Sequence, residues 1–332
     1  MITLSDGAGG PAQPPAPPNH RRRVALILVV VGVVAVAVGG AFVVAGGSGD
    51  SGSGSGAGST AAPTSSPGTS ASSSPGGQTV EAATTSFSVG PTRPDLLKDS
   101  GPITVTEAGT VISNVRVNGT ITIAADNVTV RNFVAGNVVQ STKGAGVRNT
   151  VLENGTINGG NSTTNTTDGV AWSNYTARNL DISKSFDGMK AFGNVTIENC
   201  WIHDLNMLRG DQYGAGGYSH NDGIQTSAGT NITIRDNRIE RPGANSAIFI
   251  DSDQGRIDDV QITGNYLDGG GYTLYVVQSR SAPQNGSPAN VTVQGNVFGK
   301  NHNNGPVTLA PGVTFRDNVD SADQPVPMHV DD

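Results

Sequence analysis

From about Ile103 to the end of the chain, apolar residues come in short alternating bursts. Each burst reads polar or glycine, then apolar-polar-apolar, then an asparagine. Asn127-Val-Thr-Val130-Arg-Asn132, Asn194-Val-Thr-Ile197-Glu-Asn199 and Asn231-Ile-Thr-Ile234-Arg-Asp-Asn237 follow it. So do Asp259-Val-Gln-Ile262-Thr-Gly-Asn265, Asn290-Val-Thr-Val293-Gln-Gly-Asn296 and Gly312-Val-Thr-Phe315-Arg-Asp-Asn318, with degenerate copies at Thr150–Asn154 and Tyr175–Leu180. The period-two alternation predicts strands of about three to five residues. The units repeat roughly every 20 to 40 residues, which is the range of solenoids. So short a strand cannot bury its apolar face alone, but stacked coil on coil at about 4.8 Å the Val/Ile positions form one continuous core. Asparagines at the turns would tolerate left-handed backbone and hydrogen-bond along the stack. That column also accounts for the many Asn-x-Thr triplets, which otherwise match a glycosylation acceptor.

Two rival architectures fail on the same pattern. Helical solenoids need a 3.6-residue period that no stretch after residue 45 shows. Propeller blades need regular units of about 40 residues with four strands each, whereas these coils vary in length. The expectation is an all-β fold, a right-handed parallel β-helix, over residues 91–320, with a tail at 321–332.

The upstream pattern is different. Residues 1–23 are Pro/Gly-rich and end in Arg21-Arg22-Arg23; Val24 to Ala45 then contains no charge. That run is long enough to span about 30 Å of hydrocarbon. The preceding arginines orient it with the N-terminus cytoplasmic and the remainder outside. A cleaved signal peptide would have a shorter apolar region and an A-x-A-like site; this run continues into Gly46-Gly47-Ser48. Residues 46–90, rich in Gly, Ser, Thr and Pro, read as a disordered linker with a mean span of roughly 35–40 Å. The sequence therefore predicts one transmembrane helix, a spacer and an extracytoplasmic β-helix.

Composition narrows the function. The chain has 332 residues, of which aromatics make up 5% and charged residues 14%. This scarcity suits a narrow interior filled with β-branched side chains. Cys200 is the single cysteine, so no intrachain disulfide forms, and it reads as a small buried residue. The net charge is −7; residues 1–45 carry +2, leaving −9 for everything beyond the apolar run. Nucleic acid is thereby excluded as a partner, and nothing in the chain calls for an oligomer.

A second repeat is nested in the first. Asp168-Gly, Asp187-Gly and Asp222-Gly each open a short strand at the same place relative to the asparagine units. An Asp-Gly pair is a common turn, yet the shared register also predicts a column of carboxyls about 5 Å apart on neighbouring coils. At that spacing one pKa rises or a cation binds between the groups. Paired acids at roughly 5 to 9.5 Å also perform glycoside hydrolysis. Asp187, His203, Asp204, His220 and Asp222 are accordingly the candidate catalytic residues. Lys190, Arg209, Tyr218, Gln225 and Arg235 are the candidate substrate contacts. Arg209 and Tyr218 fall in the insertion Leu205–Ser219, with Asp211 and Tyr213, which would fold over the column. Asp251 and Asp253 either extend the site, bind Ca2+ or form a solvated turn.

These repeats resemble the pectate-lyase-like superfamily of right-handed parallel β-helix proteins over residues 95 to 320. The stretches Asn165-Thr-Thr-Asp168-Gly and Ser185-Phe-Asp187-Gly are similar to polygalacturonase-type hydrolases, which place aspartates on successive coils. The chain departs from that pattern at the doubled aspartate, the Gly-His-Gly motif and the later basic motif, and it lacks the arginine motif of the lyases. The resemblance implies a cell-surface protein acting on polysaccharide. Three activities stay open: hydrolysis with Asp187 and Asp222 as acid and base, β-elimination with those aspartates holding Ca2+ while Lys190 or a histidine takes the proton, and glycan binding or adhesion without cleavage.

Overall fold

The computed structural model describes residues 87–140, 146–160, 167–210, 217–240 and 245–331. The predicted cytoplasmic tail, the predicted membrane span 24–45 and the predicted linker as far as residue 86 lie outside these residues. Among the described residues no helix is long and apolar enough to cross a membrane.

Every strand pairing between named strands is parallel, and they fall into two sheets of ten and fifteen strands. The chain passes repeatedly from one sheet to the other, so each coil pairs only with the coils before and after it. Residues one coil apart share a register position: Met189 pairs with Val170, 19 residues earlier, and with Ile224, 35 residues later. This is a parallel β-helix.

The fifteen-stranded sheet is folded along its middle, which makes the cross-section three-sided. On early coils one strand runs through both halves, as in Thr129–Ala135, Thr150–Asn158 and Tyr175–Ser183. Each is bent at an asparagine in left-handed conformation, namely Asn132, Asn154 and Asn179. On later coils the bend splits the strand, as in Gly229–Arg235 followed by Arg238–Glu240. We call the ten-stranded sheet the first face, and the two halves of the larger sheet, in chain order, the second and third faces.

The interior is built as the alternation predicts. Val130, Leu152, Ala177, Ile197, Ile234, Ile262 and Val293 occupy one register column and are fully buried. Each large aliphatic side chain so buried contributes about 1.5–3 kcal/mol, an upper bound because unfolded chains are not fully extended.

Asparagine ladders run along the corners. Between the first and second faces Asn149 donates to Asn127, Asn194 to Asn174 and Asn231 to Asn194, at 2.9–3.1 Å. Between the second and third faces Asn199 donates to Asn179 and Asn179 to Asn154. From Asp236 onward the bend keeps its length but changes its residues: Asp236, Gly264, Gly295 or Asp317 takes the left-handed position that asparagine holds on earlier coils, and the residue after it, Leu180 or Cys200 earlier, is an inward-facing asparagine. Asn237, Asn265, Asn296 and Asn318 then form a buried chain of amides linked at 2.9–3.0 Å. Cys200 occupies the equivalent position on the preceding coil, where its N–H donates to Asn237 at 2.9 Å. Burial pushes its thiol up to about 12.

The two ends differ from the sequence reading. Residues 87–97 run across the coils rather than along them: Gly90 N–H donates to Asn179 O, and Arg93 exchanges hydrogen bonds with the Asn132 side chain. At the other end, the stretch read as a tail supplies another strand, since His329–Val330 pairs with Thr308–Leu309.

Candidate functional site

The Asp-Gly repeats open strands of the first face. Register places Asp187 opposite Asp222 on the next coil and Asp168 opposite Asp187, and Ser246 continues the column. The glycines are required by packing rather than by a left-handed turn. A Cβ on Gly188 would lie 2.4 Å from Gly223 O and 2.6 Å from Ile202 Cγ2; on Gly223 it would lie 2.4 Å from Ile239 Cγ2. The backbone therefore presses against the core at this corner, and each aspartate stands beside the next coil.

Each carboxyl caps the coil that follows. Asp187 Oδ1 accepts the Asp222 N–H at 2.8 Å, and Asp168 Oδ1 accepts the Asp187 N–H at 3.4 Å. Asp222 Oδ1 accepts from Asn245 Nδ2 at 2.8 Å and Ser246 Oγ at 2.5 Å. Lys190, three residues after Asp187, donates from Nζ to Asp187 Oδ2 and to Gln225 Oε1, and lies 3.9 Å from Asp168 Oδ1. Asp187 is 1% exposed, Asp222 0% and Lys190 9%.

Burial governs the charge states. It raises the Asp222 pKa well above the usual carboxylate range, and the neighbouring Asp187 charge raises it further; Ser246, Lys190 and Asn245 oppose this. Asp222 Oδ2 is buried without a hydrogen-bond partner among the described residues. Burial works against the Lys190 charge too, but the carboxylates of Asp187, Asp168 and Asp222 outweigh it and the lysine pKa rises. The cluster thus sets a carboxyl whose pKa is pushed upward, Asp222, beside an ammonium at Lys190 whose pKa is raised as well. That ammonium fills the place beside Asp187 where the sequence reading put Ca2+, and among the described residues no group of three or more His, Cys, Asp or Glu is arranged to hold a metal.

A second column runs beside the aspartates, three residues further along each strand. Lys190, Gln225, Phe249 and Tyr275 occupy consecutive coils in register. The neighbours of these residues, Met189, Ile224, Ile248 and Leu274, are in the core, so strand alternation puts the column on the outer side. Phe249 and Tyr275 lie 5.2 Å apart between ring centroids, and Tyr272 meets Tyr275 edge-on at 5.3 Å. Toward the other edge, Trp172 and Phe192 are 5.6 Å apart. All five rings are half-buried. Tyr272 lies across Gly305, where a Cβ would come within 3.0 Å of the ring. In a chain so poor in aromatics this concentration on one face is a feature of the site.

Other predicted residues lie elsewhere, and the composite cluster of the sequence reading is divided. His203 and Asp204 belong to the third face, not the first. His203 is held between Asp181 at 3.0 Å and Asp204 at 2.9 Å and stacks on Trp201 at 3.7 Å. Burial lowers the His203 pKa, but the two carboxylates outweigh it and the net shift is upward. The chain turns a corner between Asp204 and Asp222, which nearness in sequence conceals. Arg235 ends a strand of the second face and pairs with Glu198. Arg209 stacks over Tyr218 at 4.7 Å in the stem of the insertion; Asp211 and Tyr213 lie outside the described residues. That stem does adjoin the aspartates, because Ser219 Oγ accepts the Leu208 N–H and Asn221 donates to Phe186 O. His220 is exposed between Ser219 and Asn221, both buried. Asp253 accepts from Ser281 at 2.6 Å, while burial, and then Asp253, raises the pKa of Asp251.

Sequence reasoning missed Asn245, Ser246, Phe249, Tyr272 and Tyr275. One signal was present: the third residue after each Asp-Gly aspartate, and after its equivalents Ser246 and Tyr272, supplies the outer column.

No family model matches the chain, and no curated protein matches it. Among solved structures it is similar to the Dettilon tailspike protein, at 11% identity, over 70% of this chain and 61% of that one, with a TM-score of 0.27. The chain thus covers less than two thirds of that protein. A likeness at this level carries no argument, and the fold rests on the strand pairings themselves.

Proposed function

We propose that the β-helix is a glycan-binding module whose contact surface is the outer side of the first face. One observation carries this reading: Phe249, Tyr272 and Tyr275 sit half-buried beside Lys190, Gln225 and the aspartate column. Sugar rings have apolar C–H faces and hydroxyl edges, and they are bound by aromatic faces flanked by fixed polar groups. Coils recur about every 4.8 Å, comparable to one sugar unit of an extended chain, so a glycan lying across the coils would meet one outer residue per unit. The apolar span at 24–45, if it is an uncleaved anchor, holds the module outside the membrane.

The test is binding of the full chain to a panel of polysaccharides. Phe249→Ala with Tyr275→Ala should weaken binding of a recognised glycan at least tenfold and leave the circular dichroism unchanged. Unchanged affinity in a folded double variant refutes the assignment of this face.

Hydrolysis is a second reading, favoured by the upward-shifted carboxyl of Asp222 one coil from Asp187, which accepts hydrogen bonds. Two carboxyls whose environments push their pKa values apart are the pairing glycosidases use. Both carboxyls are buried, so cleavage requires the side chains around them to move. Under this reading Asp222→Asn abolishes release of reducing ends while binding persists. Elimination with Lys190 or His203 as base loses support, because Lys190 is held as an ammonium by its carboxylates and His203 lies on another face.

A further inference from the structure

Building on the glycan reading, we infer that the first face selects uncharged polymers, hexose or N-acetylhexosamine, and discriminates against uronates. A uronate needs a cation free to meet its carboxylate. Lys190 is the one lysine or arginine in the ten strands of the first face, and it is already committed. Its ammonium bonds Asp187 and Gln225, with Asp168 3.9 Å away. Three carboxyls, Asp168, Asp187 and Asp222, stand in register around this one ammonium, and Asp251 at the strand end adds no cation. An incoming carboxylate would be repelled.

The groups left over are neutral. Gln225 uses Oε1 for Lys190, and its Nε2 makes no hydrogen bond among the described residues. That amide is a donor for a sugar hydroxyl or an acetamido carbonyl. The Tyr275 hydroxyl accepts the Tyr272 N–H at 3.2 Å and retains its own proton to give. Aromatic planes, an amide and hydroxyls match a polyol, and the strands of this face add no free cation for a polyanion.

The experiment measures affinity of the full chain for a neutral glucan, chitin oligosaccharides, chitosan and polygalacturonate, at low and high salt. Expected is binding to a neutral member that salt leaves unchanged, with polygalacturonate at least tenfold weaker. Gln225→Lys, which sets a second ammonium beside Lys190, should strengthen polygalacturonate binding at least tenfold at low salt and weaken the neutral ligand. Tighter binding of polygalacturonate or chitosan than of any neutral polymer by the unaltered chain overturns the selectivity while leaving the glycan reading intact. So does a folded Gln225→Lys protein whose preference is unchanged. Binding to no glycan of any charge overturns both.

Discussion

Replacing Lys190 with methionine tests whether its ammonium is an internal counter-ion or a group free for ligand. The side chains of Lys190 and Asp187 are 11% and 2% exposed, and Asp187 takes two hydrogen bonds, from Lys190 Nζ and the Asp222 N–H. Methionine keeps the stem and removes the charge, so Asp187 becomes a buried carboxylate with one partner instead of two. Breaking a buried pair from one side costs about 3–5 kcal/mol, against about 0–1 kcal/mol for an exposed pair. The assay is urea unfolding of the full chain followed by circular dichroism. The double variant Lys190→Met/Asp187→Asn should recover at least about 2 kcal/mol of the loss, the coupling expected of side chains in contact. A loss below about 1 kcal/mol, or strict additivity in the double variant, would show that Lys190 is not the counter-ion of Asp187, and the charge argument for uncharged glycans would go with it.

Two further outcomes follow from the same geometry. Asn265→Ala removes the amide that bridges Ile234 O and Asn296 and accepts from Asn237; leaving those buried groups unpaired should cost about 2–4 kcal/mol. Asn290→Ala, on the exposed corner with a bond to Asp258, should cost about 1 kcal/mol or less in the same unfolding assay; equal costs would contradict the assignment of inner and outer ladders. Asp222 has a raised pKa in the folded state, so the native protein holds a proton that the unfolded chain releases as pH climbs past the ordinary carboxylate value of about 3.9. Stability should therefore fall as pH rises from there toward the folded-state pKa, and Asp222→Asn should flatten that slope and be the more stable form at about pH 8; a wild-type profile that rises over this window would refute the upward shift.

Much of the fold was legible because a solenoid repeats its instructions. Asn194-Val-Thr-Ile197 and Asn231-Ile-Thr-Ile234 specify both the strand and the left-handed residue before it, and the structure pairs them in register. The nested Asp-Gly signal was legible for the same reason, and it put Asp168, Asp187 and Asp222 in one column. The ends were not: Gly90 and Arg93 bond across coils, to partners that no local pattern identifies.

The division of the candidate site shows where repeat-reading stops. A residue's coil follows from its offset to the nearest asparagine, but its face depends on which corner the chain has passed. His203 and Asp222 are 19 residues apart, the same interval as Asp168 and Asp187, yet only the second pair is in register. Trp201-Ile-His203 carries the alternation of a strand and continues directly from the Asn199 bend; that continuity alone assigns it to the third face. Phe249 and Tyr275 could have been found by the same rule, since each stands three residues past a position equivalent to Asp222. What the sequence could not supply was burial. It predicted that Asp187 and Asp222 adjoin and that one pKa rises or a cation binds between them, but not that Asn245, Ser246 and Lys190 enclose them. That enclosure moves the functional emphasis from the acids to the aromatic column beside them, whose rings are half-buried rather than sealed in.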